Sequence, residues 1–171
     1  RYQEILLLLY EKLDPEAFLA QALPLLDRKA GTADRVTHAV HVANGYLAKG
    51  EPDAAIALLK RQQVPEQAAA LRGLVASNLG TACLQKGDRA GAAAALEELK
   101  QVIRSRHCKE KFREKARRII AYQQICLDVL NGKRGGLKEL EQDYENTKSP
   151  FHKLSVGRFL EKVGRSKKLA V

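Results

Sequence analysis

The feature that most constrains this chain is an internal repeat with a period of 37 residues. Aligned at that offset, residues 36–60 and 73–97 share seven identities in 25 positions. In both copies an apolar run at helical spacing is followed by a glycine, an acidic residue and a second apolar run. This pattern is typical of paired amphipathic helices, and repetition at a fixed period is typical of proteins built from stacked units. We therefore predict a stack of helical hairpins.

The turn between the two helices has the same chemistry in both copies. Gly50 and Gly87 follow the first helix, where glycine adopts the left-handed conformation at little cost. Glu51 and Asp88 come next, where a carboxylate caps the free amides and complements the dipole of the following helix. Pro52 suits the first turn of that helix, because its missing N–H would have no partner there.

Residues 78–88 read NLGTACLQKGD, and residues 41–51 repeat the pattern with Ala43 in place of the glycine. In these hairpins the sequence resembles the tetratricopeptide repeat family, most clearly over residues 36–99. Cys83 stands where an aromatic residue is usual in that family. The resemblance implies a right-handed superhelical solenoid of helix–turn–helix units, each about 34 residues long.

We predict one all-α domain over residues 1–171: a tetratricopeptide-like solenoid of about five helical hairpins, the last incomplete. Only residues 36–99 carry the specific resemblance, and the other hairpins follow from periodicity. No apolar stretch approaches the length of a membrane span. The assignment is an atypical N-terminal hairpin at 1–31, clear repeats at 32–64 and 65–106, a degenerate repeat at 107–147, and a truncated repeat or cap at 148–171, with 165–171 as its second helix.

No set of residues indicates a catalytic centre, a metal or a cofactor. His38 and His41 are three apart on a predicted helix, but no third ligand accompanies them at a metal-binding spacing. The glycines between 132 and 136 follow no predicted strand and lack a phosphate-loop pattern. We therefore expect a non-enzymatic protein, with both histidines packed or facing solvent.

The three cysteines have no paired spacing and favour a reducing compartment such as the cytoplasm. Cys83 and Cys126 are expected to pack as small hydrophobic residues. Cys108 lies in a basic run that should lower the pKa of a thiol. Arg1 begins the chain and the sequence contains no methionine, so we expect a processed or truncated piece, with any signal or anchor upstream.

Peptide binding is the function that the resemblance implies. In the tetratricopeptide repeat family, exposed positions of each first helix line the concave face and contact a peptide. Carried over by position, this predicts a groove lined by Thr37, Val40, Asn44, Leu47, Leu74, Ser77, Asn78, Thr81, Leu84 and Gln85.

Members of the family that bind the acidic tails of chaperones hold the terminal carboxylates with asparagine, lysine and arginine. Asn44 and Asn78 fall at the asparagine positions, whereas Val40, Ile119 and Gln123 fall where cations are usual. We therefore do not expect such a clamp. The alternative for both asparagines is a hydrogen bond to backbone or water.

Charge gives a second binding signal. Residues 1–99 hold 11 basic and 12 acidic side chains, whereas residues 100–171 hold 19 and 8. Only Glu110 and Glu114 oppose the cations of residues 100–118, so this segment should form a positive patch. The alternative is a solvated helix face. The patch comprises Lys100, Arg104, Arg106, Lys109, Lys111, Arg113, Lys115, Arg117 and Arg118.

Three functions follow from these patterns. The first is a non-enzymatic scaffold that binds a protein or peptide in the groove. The second is electrostatic binding of nucleic acid or an anionic surface through residues 100–118; Phe112 is the one aromatic residue among these charges, so the stacking surfaces of single-strand binders are lacking. The third is a structural role in which the solenoid self-associates.

Overall fold

The computed structural model describes residues 1–28 and 30–165. This part of the chain contains nine α-helices and no strand, so the all-α prediction is confirmed. Most of the second helix predicted at 165–171 lies outside the described residues. The helices are α1 (Tyr2–Tyr10), α2 (Pro15–Ala22), α3 (Thr32–Lys49), α4 (Pro52–Lys60), α5 (Ala69–Lys86), α6 (Arg89–Arg104), α7 (Glu110–Leu130), α8 (Leu137–Asn146) and α9 (Pro150–Lys162).

The 37-residue period is present in the helix boundaries. Helices α3 and α5 are both 18 residues long, and each bound of α5 is the corresponding bound of α3 shifted by the period. Both helices end at a left-handed glycine, with φ of 83° at Gly50 and 82° at Gly87. The predicted role of the two glycines is therefore confirmed.

The second helices of the two copies differ. The Asp88 side chain caps α6 by accepting a hydrogen bond of 2.9 Å from the Gly91 amide. Glu51 makes no such bond at the start of α4 and pairs instead with Lys49 at 3.2 Å, so the expected side-chain cap is wrong there. Helix α4 has nine residues and α6 has 16.

The helices enclose two large apolar clusters. The first contains residues from all of α1, α2, α3 and α4, among them the fully buried Leu9, Phe18 and Leu59. The second joins α5 to α9 and contains the fully buried Leu140 and Leu160. Burial of this apolar surface is the main force that holds the hairpins together.

Helix α9 turns back over the earlier helices. Helix α7 packs against α5 and α6, whereas α8 packs against α9, and α9 contacts α1, α3 and α5. Its Leu154 lies in the first cluster and its Val156, Phe159 and Leu160 lie in the second. Because these four side chains are at most 3% exposed, α9 is part of the core.

Two cations of α9 lie at the ends of the repeated helices. The Arg158 guanidinium lies beside Gly50 and donates a hydrogen bond to the Ala48 carbonyl at the end of α3. Lys162 lies beside Gly87 at the end of α5. Carbonyl groups without intrahelical partners give these helix ends a partial negative charge, which attracts both cations.

Within residues 1–28 and 30–165, no helix combines the length and the apolar character that crossing a membrane requires.

Candidate functional site

The site is a cavity of about 630 Å³ between α3, α5, α7, α8 and α9, called the inner cavity below. Its walls mix amides, hydroxyls, aromatic rings and aliphatic side chains. The lining residues are Asn44, Leu74, Ser77, Asn78, Thr81, Phe112, Lys115, Arg118, Ile119, Tyr122, Gln123, Asp143, Phe151, His152 and Ser155.

The two repeat copies both contribute to this cavity. Asn44 comes from α3, and four residues come from α5: Leu74, Ser77, Asn78 and Thr81. All five belong to the groove predicted from the sequence. Residues on successive first helices are therefore brought together on one surface.

The other five predicted groove residues lie elsewhere. Val40, Leu47 and Leu84 are 3%, 4% and 4% exposed, so the expectation that they are exposed is wrong. Val40 and Leu47 lie in the first apolar cluster and Leu84 in the second, where the returning α9 also packs. Thr37 and Gln85 are half-buried but do not line the inner cavity, and the Gln85 side-chain amide donates to the Leu47 carbonyl at 3.1 Å.

Helix α7 supplies the opposite wall of the cavity. Residues 112, 115, 119 and 122 follow one another at three- and four-residue spacing, which places them on one face of the helix. On this wall the sequence analysis named Ile119 and Gln123 by their repeat positions and Lys115 and Arg118 by their charge. Extending the same spacing along the helix would have added Phe112 and Tyr122 to the lining, whereas no repeat signal reaches Asp143, Phe151, His152 or Ser155.

Gln123 connects the two walls. Its side-chain amide donates to the Ser77 carbonyl at 2.7 Å and to the Thr81 hydroxyl at 3.3 Å, and the residue is 3% exposed. A methyl group at Gly80 would collide with this amide. The glycine of the second copy therefore permits the close approach of α7 to α5.

The two asparagines are held within the fold. The Asn78 amide donates to the Leu74 carbonyl at 2.8 Å, which confirms the backbone alternative for this residue. The Asn44 amide donates instead to the Tyr10 hydroxyl at 3.0 Å. Both residues still line the inner cavity.

An acid–imidazole pair lies at the far end of the cavity. His152 Nε2 is 2.7 Å from Asp143 Oδ2, and its ring lies 5.5 Å from the ring of Tyr122. Burial raises the pKa of Cys126 to about 12 and raises the pKa of its hydrogen-bonded neighbour Tyr122 well above the ordinary value. Both groups are therefore protonated at neutral pH, and neither is a ready nucleophile.

A second cavity of about 720 Å³, called the basic groove below, adjoins the first. Phe112, Lys115 and Arg118 line both. The full lining is Gln67, Ala68, Ala69, Ala70, Leu71, His107, Lys109, Lys111, Phe112, Glu114, Lys115 and Arg118.

The nine predicted patch residues divide into two groups. Lys109, Lys111, Lys115 and Arg118 lie in the basic groove. The other five, Lys100, Arg104, Arg106, Arg113 and Arg117, line neither cavity.

Some cations of the second group have structural partners. The Arg113 guanidinium donates to the carbonyls of Ile103 and Cys108, at 2.8 and 2.9 Å. Arg117 pairs with Glu110 at 3.2 Å. Arg113 therefore holds the turn between α6 and α7, whereas the ion pair of Arg117 lies within α7.

The remaining candidates for chemistry are packed into the fold. His38 is hydrogen-bonded with the Tyr2 hydroxyl at 2.6 Å and with the Ala22 carbonyl at 2.9 Å. Cys108 is 6% exposed, and Cys83 and Cys126 are buried as expected. In the part of the chain that is described, no three histidine, cysteine, aspartate or glutamate side chains are grouped to hold a metal ion.

Comparison of the chain with protein-family models, with curated proteins and with solved structures returns no significant match.

Proposed function

We propose that this chain is a non-enzymatic interaction module that binds a peptide or protein segment in the inner cavity. The observation that carries the proposal is that both repeat copies place first-helix residues on one open cavity. The volume of about 630 Å³ is within the range of known ligand cavities and accommodates a few side chains of a bound segment.

The same proposal includes the architecture. A tetratricopeptide-like stack is supported by the equal lengths of α3 and α5 and by their glycine ends one period apart. In this stack α9 acts as a cap, since it lies across α1, α3 and α5. Because α9 covers part of the surface formed by the first helices, a ligand would bind on the part of the inner cavity that α5 and α7 form.

A role without catalysis is supported by the state of the reactive groups. The cysteines are buried, and His38 and His41 are engaged with tyrosines of α1. The Asp143–His152 pair lies in the inner cavity beside a Tyr122–Cys126 pair that stays protonated at neutral pH. Neither the Tyr122 hydroxyl nor the Cys126 thiol is therefore an activated nucleophile.

The test is selection of peptides from a random display library on the full chain. A selected peptide is synthesised, and its affinity is measured by calorimetry for the wild type and for Asn78→Trp. Within residues 1–28 and 30–165 the Asn78 side chain forms its one hydrogen bond inside its own helix, so the indole should obstruct the cavity without breaking a hydrogen bond between helices. The matched control is Ala57→Trp, at an exposed position of α4 that lines neither cavity.

We expect Asn78→Trp to weaken binding by about tenfold or more, equivalent to about 1.4 kcal/mol, and Ala57→Trp to leave it unchanged. Circular dichroism should give the same helix content for all three proteins. Recovery of no peptide, or equal affinity for Asn78→Trp and the wild type, would reject the proposal.

A further inference from the structure

The basic groove and the inner cavity share Phe112, Lys115 and Arg118. From this surface we propose that the bound segment is acidic: an extended peptide with carboxylates at alternate positions beside an apolar residue. The carboxylates pair with Lys111, Lys115 and Arg118, and the apolar side chain enters the inner cavity. This inference rests on the proposed function and specifies the chemistry of its partner.

The first argument is that the cations of the basic groove are unpaired. Lys109, Lys111, Lys115 and Arg118 are all exposed. No carboxylate of residues 1–28 or 30–165 forms an ion pair with any of them. Glu114 is the one acidic residue in the groove lining. The groove therefore carries a net positive charge that an acidic ligand would neutralise.

The start of α5 adds to this potential. Gln67 to Ala70 line the groove, and the N-cap residue Ala68 offers no side-chain acceptor to the first amides of α5. Free amides at a helix N-terminus carry a partial positive charge. The groove thus has cationic side chains on its α7 wall and a positive helix end on its α5 wall.

The second argument is spacing. Lys111, Lys115 and Arg118 lie at i, i+4 and i+7 on one face of α7. At about 1.5 Å per residue, Lys111 and Lys115 are separated by about 6 Å along the helix axis. Alternate side chains of an extended peptide point the same way and are about 6.6 Å apart. Two carboxylates at alternate positions therefore match two successive cations.

The third argument is the apolar wall beside the last cation. Leu74, Ile119, Tyr122 and Phe151 line the inner cavity together with Arg118. An apolar side chain next to the acidic pair would bury against these groups, which adds a hydrophobic contribution to the ion pairs. The charges would make the site selective for acidic peptides, and the apolar contact would increase the affinity.

An acidic peptide fits this surface better than nucleic acid does. The three cations extend over about 10 Å of α7, whereas a single strand is bound by a basic groove that follows its backbone over several nucleotides.

The test compares the peptides selected by three full-length proteins. These are the wild type, Lys111→Gln/Lys115→Gln/Arg118→Gln, and the control Arg61→Gln/Arg89→Gln/Lys138→Gln. Both variants lose three positive charges, and the three control positions are exposed and line neither cavity. A difference in peptide binding between the two variants therefore reflects where the lost charges lie and not the change in net charge.

We expect the wild type and the control to select peptides with acidic residues at alternate positions beside an apolar residue. A synthetic peptide of that sequence should bind the groove variant at least about tenfold more weakly, since the cations that pair with its carboxylates are lost. The affinity of the wild type should fall as salt is raised, and a short oligouridylate should bind more weakly than the peptide.

Three results would overturn the inference. Neutral peptides whose binding is blocked by Asn78→Trp would leave the proposed function intact and reject an acidic partner. Equal loss of affinity in the groove variant and the control would show that only net charge matters. Tighter binding of the oligouridylate, lost in the groove variant, would assign the basic groove to nucleic acid.

Discussion

At the scale of single residues, the packing of α1 depends on two tyrosine–histidine pairs. The Tyr10 hydroxyl accepts a hydrogen bond from the Asn44 amide and is also hydrogen-bonded with His41 Nδ1, 2.6 Å away. Burial raises the pKa of Tyr10 to about 12 and, with His38, lowers the pKa of His41.

A dependence of stability on pH follows. In the unfolded chain His41 takes up a proton near its ordinary pKa of 6.5, whereas in the native protein its pKa is lower. The unfolded state therefore binds more protons than the native state below about pH 6.5. The stability that the neutral His41 contributes is complete above that pH and decreases as the pH falls. Urea denaturation should show a smaller loss of unfolding free energy on acidification for His41→Gln than for the wild type. An equal or larger loss in the variant would contradict this assignment.

At the scale of the elements, α9 depends on polar anchors as well as on its apolar face. Arg158 is half-buried and bonded to the Ala48 carbonyl, whereas Lys162 is exposed beside Gly87. Hydrogen bonds from charged donors contribute more than exposed charges near a helix end. The two cations, four residues apart on α9, should therefore differ in their effect on stability.

We expect Arg158→Ala to lower the free energy of unfolding by about 1.5–3 kcal/mol. Its matched control, Lys162→Ala, should lower it by less than about 1 kcal/mol, as is usual for an exposed charge at a helix end. Both values can be measured by chemical denaturation. A loss of less than about 1 kcal/mol for both substitutions would contradict the role of Arg158 as an anchor.

Local sequence patterns predicted where some helices end but not where α9 packs. The ends of α3 and α5 at Gly50 and Gly87 follow from local backbone chemistry. The return of α9 does not, because its anchor joins Arg158 to Ala48, 110 residues away. Five of the groove residues predicted from the repeat line the inner cavity, whereas Leu47 and Leu84 were expected on an exposed face and are buried.

At the scale of the whole molecule, the two apolar clusters are in contact with each other. Ile56 and Leu79 pack against both apolar clusters, and α9 contributes side chains to each. The inner cavity lies where these parts meet, with walls from α3, α5, α7, α8 and α9. A ligand in that cavity would contact residues separated by most of the sequence.

The most direct test of ligand binding in the inner cavity is to map the binding surface by NMR. The backbone amides of the full chain are assigned, and a library-selected peptide is titrated in. We predict that the shifted amides cluster at 74–81 on α5, 112–123 on α7 and 151–155 on α9, with those of α2, α4 and α6 unchanged. Shifts concentrated on α2, α4 and α6 would contradict the account.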